Sequence, residues 1–338
     1  MKVFVAGATG AVGKPLLPLL VAQGHEVVGM THSPDKVQGL RAAGVEPVVA
    51  DGLDRPAVVD AVVRTRPEVI VHQMTGLVRM RSLKRFDDEF ELTNRLRTTG
   101  TDVLLEAARV AGTRRLIAQS YGNWNYERVG GPIKSEDAPL DPYPPVTMRR
   151  TMAAIRYLES KVLAADGLES LVLRYGSLYG PGTSIAPGGA ILEAVRKRQF
   201  PIVGSGAGVW SFAHVADVAS ATLAAIERGA PGIYNICDDE PAPVAAWLPE
   251  LANAVGAKPP WRVPVWLGRL FIGEAGISIM TRIRGASNAK AKRELGWQPR
   301  YASWRDGFRH GLANAPVEAV VSLTPGPASQ TEVARSLR

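Results

Sequence analysis

Hydrophobic positions along the chain fall into two periods. Short continuous runs rich in β-branched residues recur at Lys2–Ala6, Glu26–Met30, Glu46–Ala50, Val69–His72, Arg115–Gln119 and Ser170–Tyr175. Runs without polar alternation are what strands buried on both faces require. Between them, apolar residues three and four apart predict helices over Gly13–Ala22, Pro56–Arg64, Asn94–Ala111 and Thr147–Ala165. Parallel strands need crossover connections, and these helices supply them with right-handed winding. The pattern therefore predicts an α/β chain with a parallel sheet covered by helices. After Tyr175 it loosens into the turns Tyr179-Gly-Pro-Gly, Pro187-Gly-Gly and Gly204-Ser-Gly-Ala-Gly. A helix over Asp217–Glu227 and a strand over Gly232–Cys237 return to the sheet. Residues 238–313 hold five of the chain's seven Trp and read as a smaller, mostly helical domain. The stretch 316–338 is rich in Pro, Ser and Thr without periodicity, and is expected to be a mobile tail.

Composition changes this picture little. The 338 residues are 46% hydrophobic and 21% charged, enough to bury a core at a length that suits two domains or one large α/β unit. A single cysteine, Cys237, excludes an intrachain disulfide framework and fits a reducing, cytoplasmic setting. No leader-like segment opens the chain, and no stretch of about 20 residues stays apolar, so neither export nor a membrane span is expected. The net charge of +8 hints at anionic ligands. Arg79, Arg81, Lys84 and Arg85 run directly into Asp87, Asp88, Glu89 and Glu91, the mixed pattern of a solvated loop. No basic stripe with a docking motif supports nucleic-acid binding. The five His have no metal-ligand spacing, so no metal is expected.

The strongest chemical signal is Gly7-Ala8-Thr9-Gly10-Ala11-Val12-Gly13, directly after the first strand and opening a helix. Glycine allows a tight turn and close approach of backbone to a pyrophosphate, and the helix N-terminus offers N–H groups and a positive dipole end. This context predicts a dinucleotide site. A carboxylate selective for NAD usually follows the second strand. Here Thr31, His32, Ser33 and then Lys36 stand there, hydroxyls and cationic groups that favour the 2′-phosphate of NADP(H). Asp51, with Gly52, either faces the adenine or caps the turn Asp51-Gly-Leu-Asp54.

Further motifs follow in order: Val69-Ile-Val-His72, Gly100-Thr-Asp-Val-Leu-Leu-Glu-Ala-Ala108, Leu173-Arg174 with Tyr179-Gly-Pro181, Phe212-Ala-His-Val215-Ala-Asp217, Tyr234-Asn-Ile, and Ala289-Lys-Ala-Lys-Arg-Glu-Leu-Gly-Trp-Gln-Pro299. With the glycine turn, they make residues 1–313 resemble an extended short-chain dehydrogenase/reductase of the NAD-dependent epimerase/dehydratase family, with an atypical active site. The resemblance implies a Rossmann doubly wound sheet from 1–175 plus about 211–237. It implies a substrate domain from about 176–210 and 238–313, with a cleft between the two. It also implies cofactor contacts near Gln73, Met74 and Thr75 and at the strand end Tyr175, and a homodimer through the helices near 94–111 and 147–165.

The family's proton-transfer pair is Tyr-x-x-x-Lys, in which the Lys lowers the pKa of the Tyr. Tyr157-Leu-Glu-Ser-Lys161 has that spacing. Aligning Glu159 with the family's Glu eight residues after its Tyr instead puts Thr151 at the Tyr position and Ile155 at the Lys position. Tyr157 then lies about 9 Å further along the helix. The family's substrate-binding Ser at the end of the fifth strand falls at or beside Tyr121, so Tyr121 with Ser120 is expected to polarise or protonate a substrate carbonyl. The alternative is that Tyr121 packs over the nicotinamide. Nucleotide-sugar enzymes of the family carry an Arg before the Phe212 motif, where this chain has Trp210 and Ser211. Trp124, Tyr179 and Trp210 are therefore expected to wall a pocket for a smaller substrate, with core packing the alternative for Trp210. The leading expectation is an NADP(H)-dependent oxidoreductase acting on a small non-nucleotide carbonyl or alcohol. The alternatives are a redox-neutral epimerase or dehydratase, and a catalytically inactive dinucleotide-binding regulator.

Overall fold

A computed structural model describes residues 1–77 and 82–313. Arg79, Arg81 and the stretch 316–338 lie outside the described residues. The β-branched runs form seven parallel strands: β1 (Lys2–Ala6), β2 (Glu26–Thr31), β3 (Glu46–Val49), β4 (Val69–His72), β5 (Arg115–Tyr121), β6 (Glu169–Tyr175) and β7 (Gly232–Ile236). Their order is β3-β2-β1-β4-β5-β6-β7, each neighbour pairing in parallel register. This is a Rossmann-type α/β sheet.

The helices are α1 (Gly13–Ala22), α2 (Arg55–Thr65), α3 (Glu91–Arg97), α4 (Thr99–Ala111), α5 (Arg149–Leu163) and α6 (Val215–Glu227). On one face, Val3, Val5, Ile117 and Leu173 pack against Leu16 and Leu20 of α1 and Val218 and Ile226 of α6. On the other, Phe4, Ile70, Leu116 and Val172 pack against Val58 of α2, Leu104 of α4 and Leu158 of α5. Both faces are covered, which is why the strands read as unbroken apolar runs. The helix expected over Asn94–Ala111 breaks at Thr98, whose φ and ψ are −100° and −85°. The Thr98 hydroxyl donates to the carbonyls of Asn94 and Arg95, a side-chain-to-backbone competition that helix propensity alone does not announce.

Outside the sheet, two-residue and three-residue strands pair Ser177–Tyr179 with Phe212–His214, Val209–Trp210 with Ala242–Pro243, and Ile202–Val203 with Arg262–Val263. With α7 (Val244–Ala254), α8 (Val265–Thr281) and α9 (Trp304–His310) they enclose an aromatic core that includes Phe212, Trp247, Trp304 and Phe308. The chain leaves β1 in opposite directions toward β2 and β4, so a crevice opens at the carboxyl ends of those strands, where ligands bind in open α/β sheets. Among the described residues, no helix is long and apolar enough to cross a membrane.

Candidate functional site

The crevice is floored by the glycine loop. Gly7 adopts φ +91°, a conformation that favours glycine. A Cβ there would lie 2.7 Å from the Gln73 carbonyl oxygen, and a Cβ on Gly13 would lie 2.4 Å from the Ala8 carbonyl oxygen. The N–H groups of Gly7 and Ala8 both donate to the Met30 carbonyl, which ties the loop to β2. No side chain caps the N-terminus of α1 and no acidic residue stands in its first turn, so its positive end is free to meet an anion. This cradle, with Gly10 at the turn and Thr9, Ala11 and Val12 between the glycines, fits a dinucleotide pyrophosphate.

Around the cradle, the hydroxyls of Thr9 and Thr31 lie 3.0 Å apart, and the Ser33 N–H donates to Thr31 Oγ1. His32 and Lys36 are exposed just beyond. Lys36 pairs with Asp35 at 2.7 Å, which shares its charge. Asp51 Oδ1 accepts from the Leu53 N–H at 2.9 Å, so it caps its turn. Met74 wedges against Gly52, where a Cβ would meet Sδ at 2.3 Å, and Thr75 is exposed at the mouth. The Gln73 amide donates to the Tyr175 hydroxyl at 2.7 Å while its Oε1 is buried without a partner among the described residues. Tyr175 stands at the carboxyl end of β6. Its hydroxyl is engaged by Gln73 and Thr222 inside the core, where burial pushes its pKa up to about 12.

Helix α5 carries the positions that the resemblance aligns with the family's proton-transfer pair. Thr151, Ile155 and Glu159 follow one another at four-residue spacing along one buried stripe. Thr151 Oγ1 donates to Asp87 at 2.7 Å and accepts from the Asn94 amide at 3.1 Å. Ile155 is apolar and fully buried. Glu159 accepts from Ser120 Oγ at 2.6 Å and from Arg174 through Nε at 2.9 Å and Nη2 at 2.7 Å. Tyr157 and Lys161 fall on a different flank. The Tyr157 hydroxyl donates to the Asp102 carboxylate of α4, and Lys161 lies over the Tyr157 ring at 5.5 Å.

Ser120 and Tyr121 point apart, as consecutive strand residues face opposite sides of a sheet. Ser120 turns to Glu159 and Arg174. Tyr121 turns the other way, its hydroxyl 3.1 Å from Ser177 Oγ, which also accepts from the Asn123 amide at 2.6 Å. Burial raises the Tyr121 pKa, an effect the bonds with Ser177 and Asn123 offset only in part. The Tyr121 ring packs on Trp124 at 4.9 Å, and Trp124 meets Phe86 at 5.2 Å. The other two expected pocket residues lie elsewhere. Tyr179 is fully buried among Phe212, His214 and Phe308. Trp210 stacks on Phe212, meets Trp247 at a tilt, and donates from Nε1 to the Ile279 carbonyl. Both are core, held there because their large rings fill the space between α7, α8 and α9.

Arg97 is a residue the sequence reading missed. It is 3% exposed at the end of α3, and its Nη1 has no partner among the described residues. Burial lowers its pKa to about 10, against the raising influence of Glu159 and Tyr121. A signal was present: positions 93, 96, 97, 100, 101 and 104 are all buried at helical spacing, so Arg97 occupies a core position of that stripe. Beside it, His72 lies between the Leu96 carbonyl and the Met74 N–H, and burial lowers its pKa to about 4, leaving it neutral. Cys237 is buried with its thiol pKa pushed up, a packed residue. Among the described residues, no group of three or more His, Cys, Asp or Glu gathers to hold a metal.

Comparison with known proteins places this geometry. The model of the NAD dependent epimerase/dehydratase family matches residues 3–237. The chain is 46% identical over 311 residues to the 3-diazoavenalumate denitrifying reductase of Streptomyces sp, covering 91% of this chain and 99% of that one. It is 27% identical over 326 residues to the 4-hydroxy-2-methyl-3-oxo-4-farnesyl-3,4-dihydroquinoline-1-oxide ketoreductase of Stigmatella aurantiaca, covering 89% and 92%. Among solved structures, the UDP-glucose 4-epimerase of Thermotoga maritima with UDP-glucose superposes with a TM-score of 0.71 at 22% identity, over 92% of this chain and 97% of that one. At that identity the likeness is one of fold.

Proposed function

The chain belongs to the NAD-dependent epimerase/dehydratase family, and we propose that within it the protein is an NADP(H)-dependent reductase of a small non-nucleotide substrate, most specifically a diazo compound. The observation that carries this reading is the α5 stripe. Redox-neutral epimerisation or dehydration removes a proton and returns it, so it needs a titrating group beside the nicotinamide. The stripe offers a threonine already bonded to Asp87 and Asn94, then an isoleucine. Net reduction of an electrophile asks less of those positions.

Gly7, Gly10, Gly13 and the uncapped start of α1 would hold the pyrophosphate. Thr31, Ser33, His32 and Lys36, with no carboxylate at the end of β2, favour a 2′-phosphate. When bound, the reduced nicotinamide would supply a hydride: with the substrate's diazo group in its diazonium form, the hydride pair makes the new C–H bond, the C–N bond breaks with its pair leaving on dinitrogen, and no further proton is required. The 46% identity to a denitrifying reductase supports this substrate class.

Tyr121 then works as a hydrogen-bond donor. With its pKa raised, the phenol stays protonated through neutral and mildly basic pH. Ser177 and Asn123 fix its direction, and it donates to an electronegative substituent of the substrate. A ketone reading, supported by the ketoreductase relative, would need the same group to surrender its proton. Side-chain variants and a pH profile separate the two. Tyr121→Phe is expected to lower kcat about three- to tenfold, the worth of one neutral hydrogen bond, with kcat flat between about pH 6 and 9. Tyr157→Phe is expected to leave turnover unchanged. Loss of activity in Tyr157→Phe, with a titration in that window, would overturn the assignment.

A further inference from the structure

Helix α3 is pinned between β4 and α5. The Leu96 carbonyl lies 3.3 Å from His72 Nε2 at the end of β4, and Thr93 Oγ1 accepts from the Gly76 N–H at 3.0 Å. On its other side, the Asn94 amide donates to Thr151 Oγ1 at 3.1 Å. Thr151 gives its one hydroxyl proton to Asp87, so the group that meets it from Asn94 must be the NH2. Asn94 Oδ1 is thereby fixed as an acceptor, and it is buried without a partner among the described residues.

Arg97 stands one turn further along the same face of α3. Three elements bracket its charge. It acts on His72, the last residue of β4, and on Tyr121, the last of β5, and Glu159 of α5 acts on it. The guanidinium is therefore held near the carboxyl ends of β4 and β5, beside the α5 stripe. Between Thr151, which Asn94 touches, and Glu159, that stripe holds Ile155 and no cation. The carboxylates around it are committed elsewhere: Glu159 to Ser120 and Arg174, Asp87 to Thr151 and the Arg150 N–H. Arg97 Nη1 is left without a partner among the described residues.

A donor and an acceptor, both buried and unpaired on one helix face, carry a desolvation cost that a ligand would relieve. That ligand must accept from Arg97 and donate to Asn94. A carboxylate or phosphate only accepts, which leaves Asn94 Oδ1 unpaired. A hydroxyl does both, and a vicinal diol does so at two adjacent atoms. In NADP(H) the 2′-phosphate occupies one hydroxyl of the adenine ribose, so the nicotinamide ribose carries the cofactor's one vicinal diol.

We propose that Arg97 and Asn94 bind the ribose diol of the nicotinamide half of the cofactor, so that α3 supplies a cation where α5 presents Ile155. This rests on the dinucleotide part of the reading above and is independent of which compound is reduced. Binding without turnover tests it. NADPH and NADH are titrated calorimetrically into wild type, Arg97→Met and Arg97→Lys, beside adenosine 2′,5′-bisphosphate and ADP, the matching fragments without the nicotinamide ribose. Arg97→Met is expected to weaken the preferred dinucleotide about tenfold, with fragment affinity and melting temperature unchanged, and Arg97→Lys to recover part of the loss. The nicotinamide carboxamide also donates and accepts. The reduced 3-acetylpyridine analogue, which keeps the diol and lacks the amide N–H, is therefore expected to lose as much as the dinucleotide. Unchanged dinucleotide affinity in Arg97→Met, an equal loss for the fragment, or a loss that vanishes with the analogue overturns the proposal. Failure of the cofactor reading is a separate result, seen as a wild type that binds no dinucleotide, and it removes the proposal with it. Absence of turnover leaves the comparison intact.

Discussion

Arg97 carries a positive charge where burial penalises it, with one nitrogen unpaired among the described residues. A core position that served stability alone would do as well or better with an apolar side chain of similar volume. Such a residue is a place where stability yields to function. Arg97→Met is accordingly expected to keep or raise stability, by up to about 1 kcal/mol, while turnover falls at least about tenfold. Chemical denaturation and steady-state kinetics on the same variant check both halves. Lost stability with intact turnover would mean that Arg97 is structural. The residues that were hard to read are of this kind. Tyr121, Tyr179 and Trp210 are all aromatic residues beside glycine-rich turns, and the sequence does not say which side of its backbone each ring takes. The strand period separates Ser120 from Tyr121, yet that separation follows only once both residues are known to lie inside β5, two residues beyond where its apolar run ends.

At the scale of elements, β5, β6 and α5 are locked by one buried ion pair. Glu159 and Arg174 have side chains 6% and 4% exposed and bond through two nitrogens to two oxygens, with Ser120 completing the carboxylate. Removing one partner leaves the other charged and uncompensated. Glu159→Ala should therefore cost about 3–5 kcal/mol, read from urea unfolding. Arg150→Ala, which breaks the exposed pair with Asp88, should cost under about 1 kcal/mol. The strands themselves were legible: each lies within two residues of its expected bounds, since parallel strands buried on both faces leave a continuous apolar run. The short strands around Trp210 were not, because two residues are too few to set a period. The break at Thr98 was also hidden, with neither glycine nor proline to mark it.

For the whole molecule, two groups of basic side chains stand out. One is the exposed turn after β2, where His32 and Lys36 stand beside the end of the cradle. The other is the cleft lined by Lys84, Arg128 and Arg282. The crevice at the carboxyl ends of the strands opens beside the first of these. A site whose α5 stripe offers a bonded threonine and an isoleucine where a proton carrier would stand is suited to orienting a substrate for reduction, and poorly suited to shuttling protons. The central claim is net, stoichiometric reduction. Its most direct measurement follows NADPH absorbance and dinitrogen release together, with an aromatic diazo acid as substrate. One NADPH oxidised per dinitrogen released is the predicted result. Product formed with no net change in cofactor, or tight NADPH binding with no turnover, would contradict it.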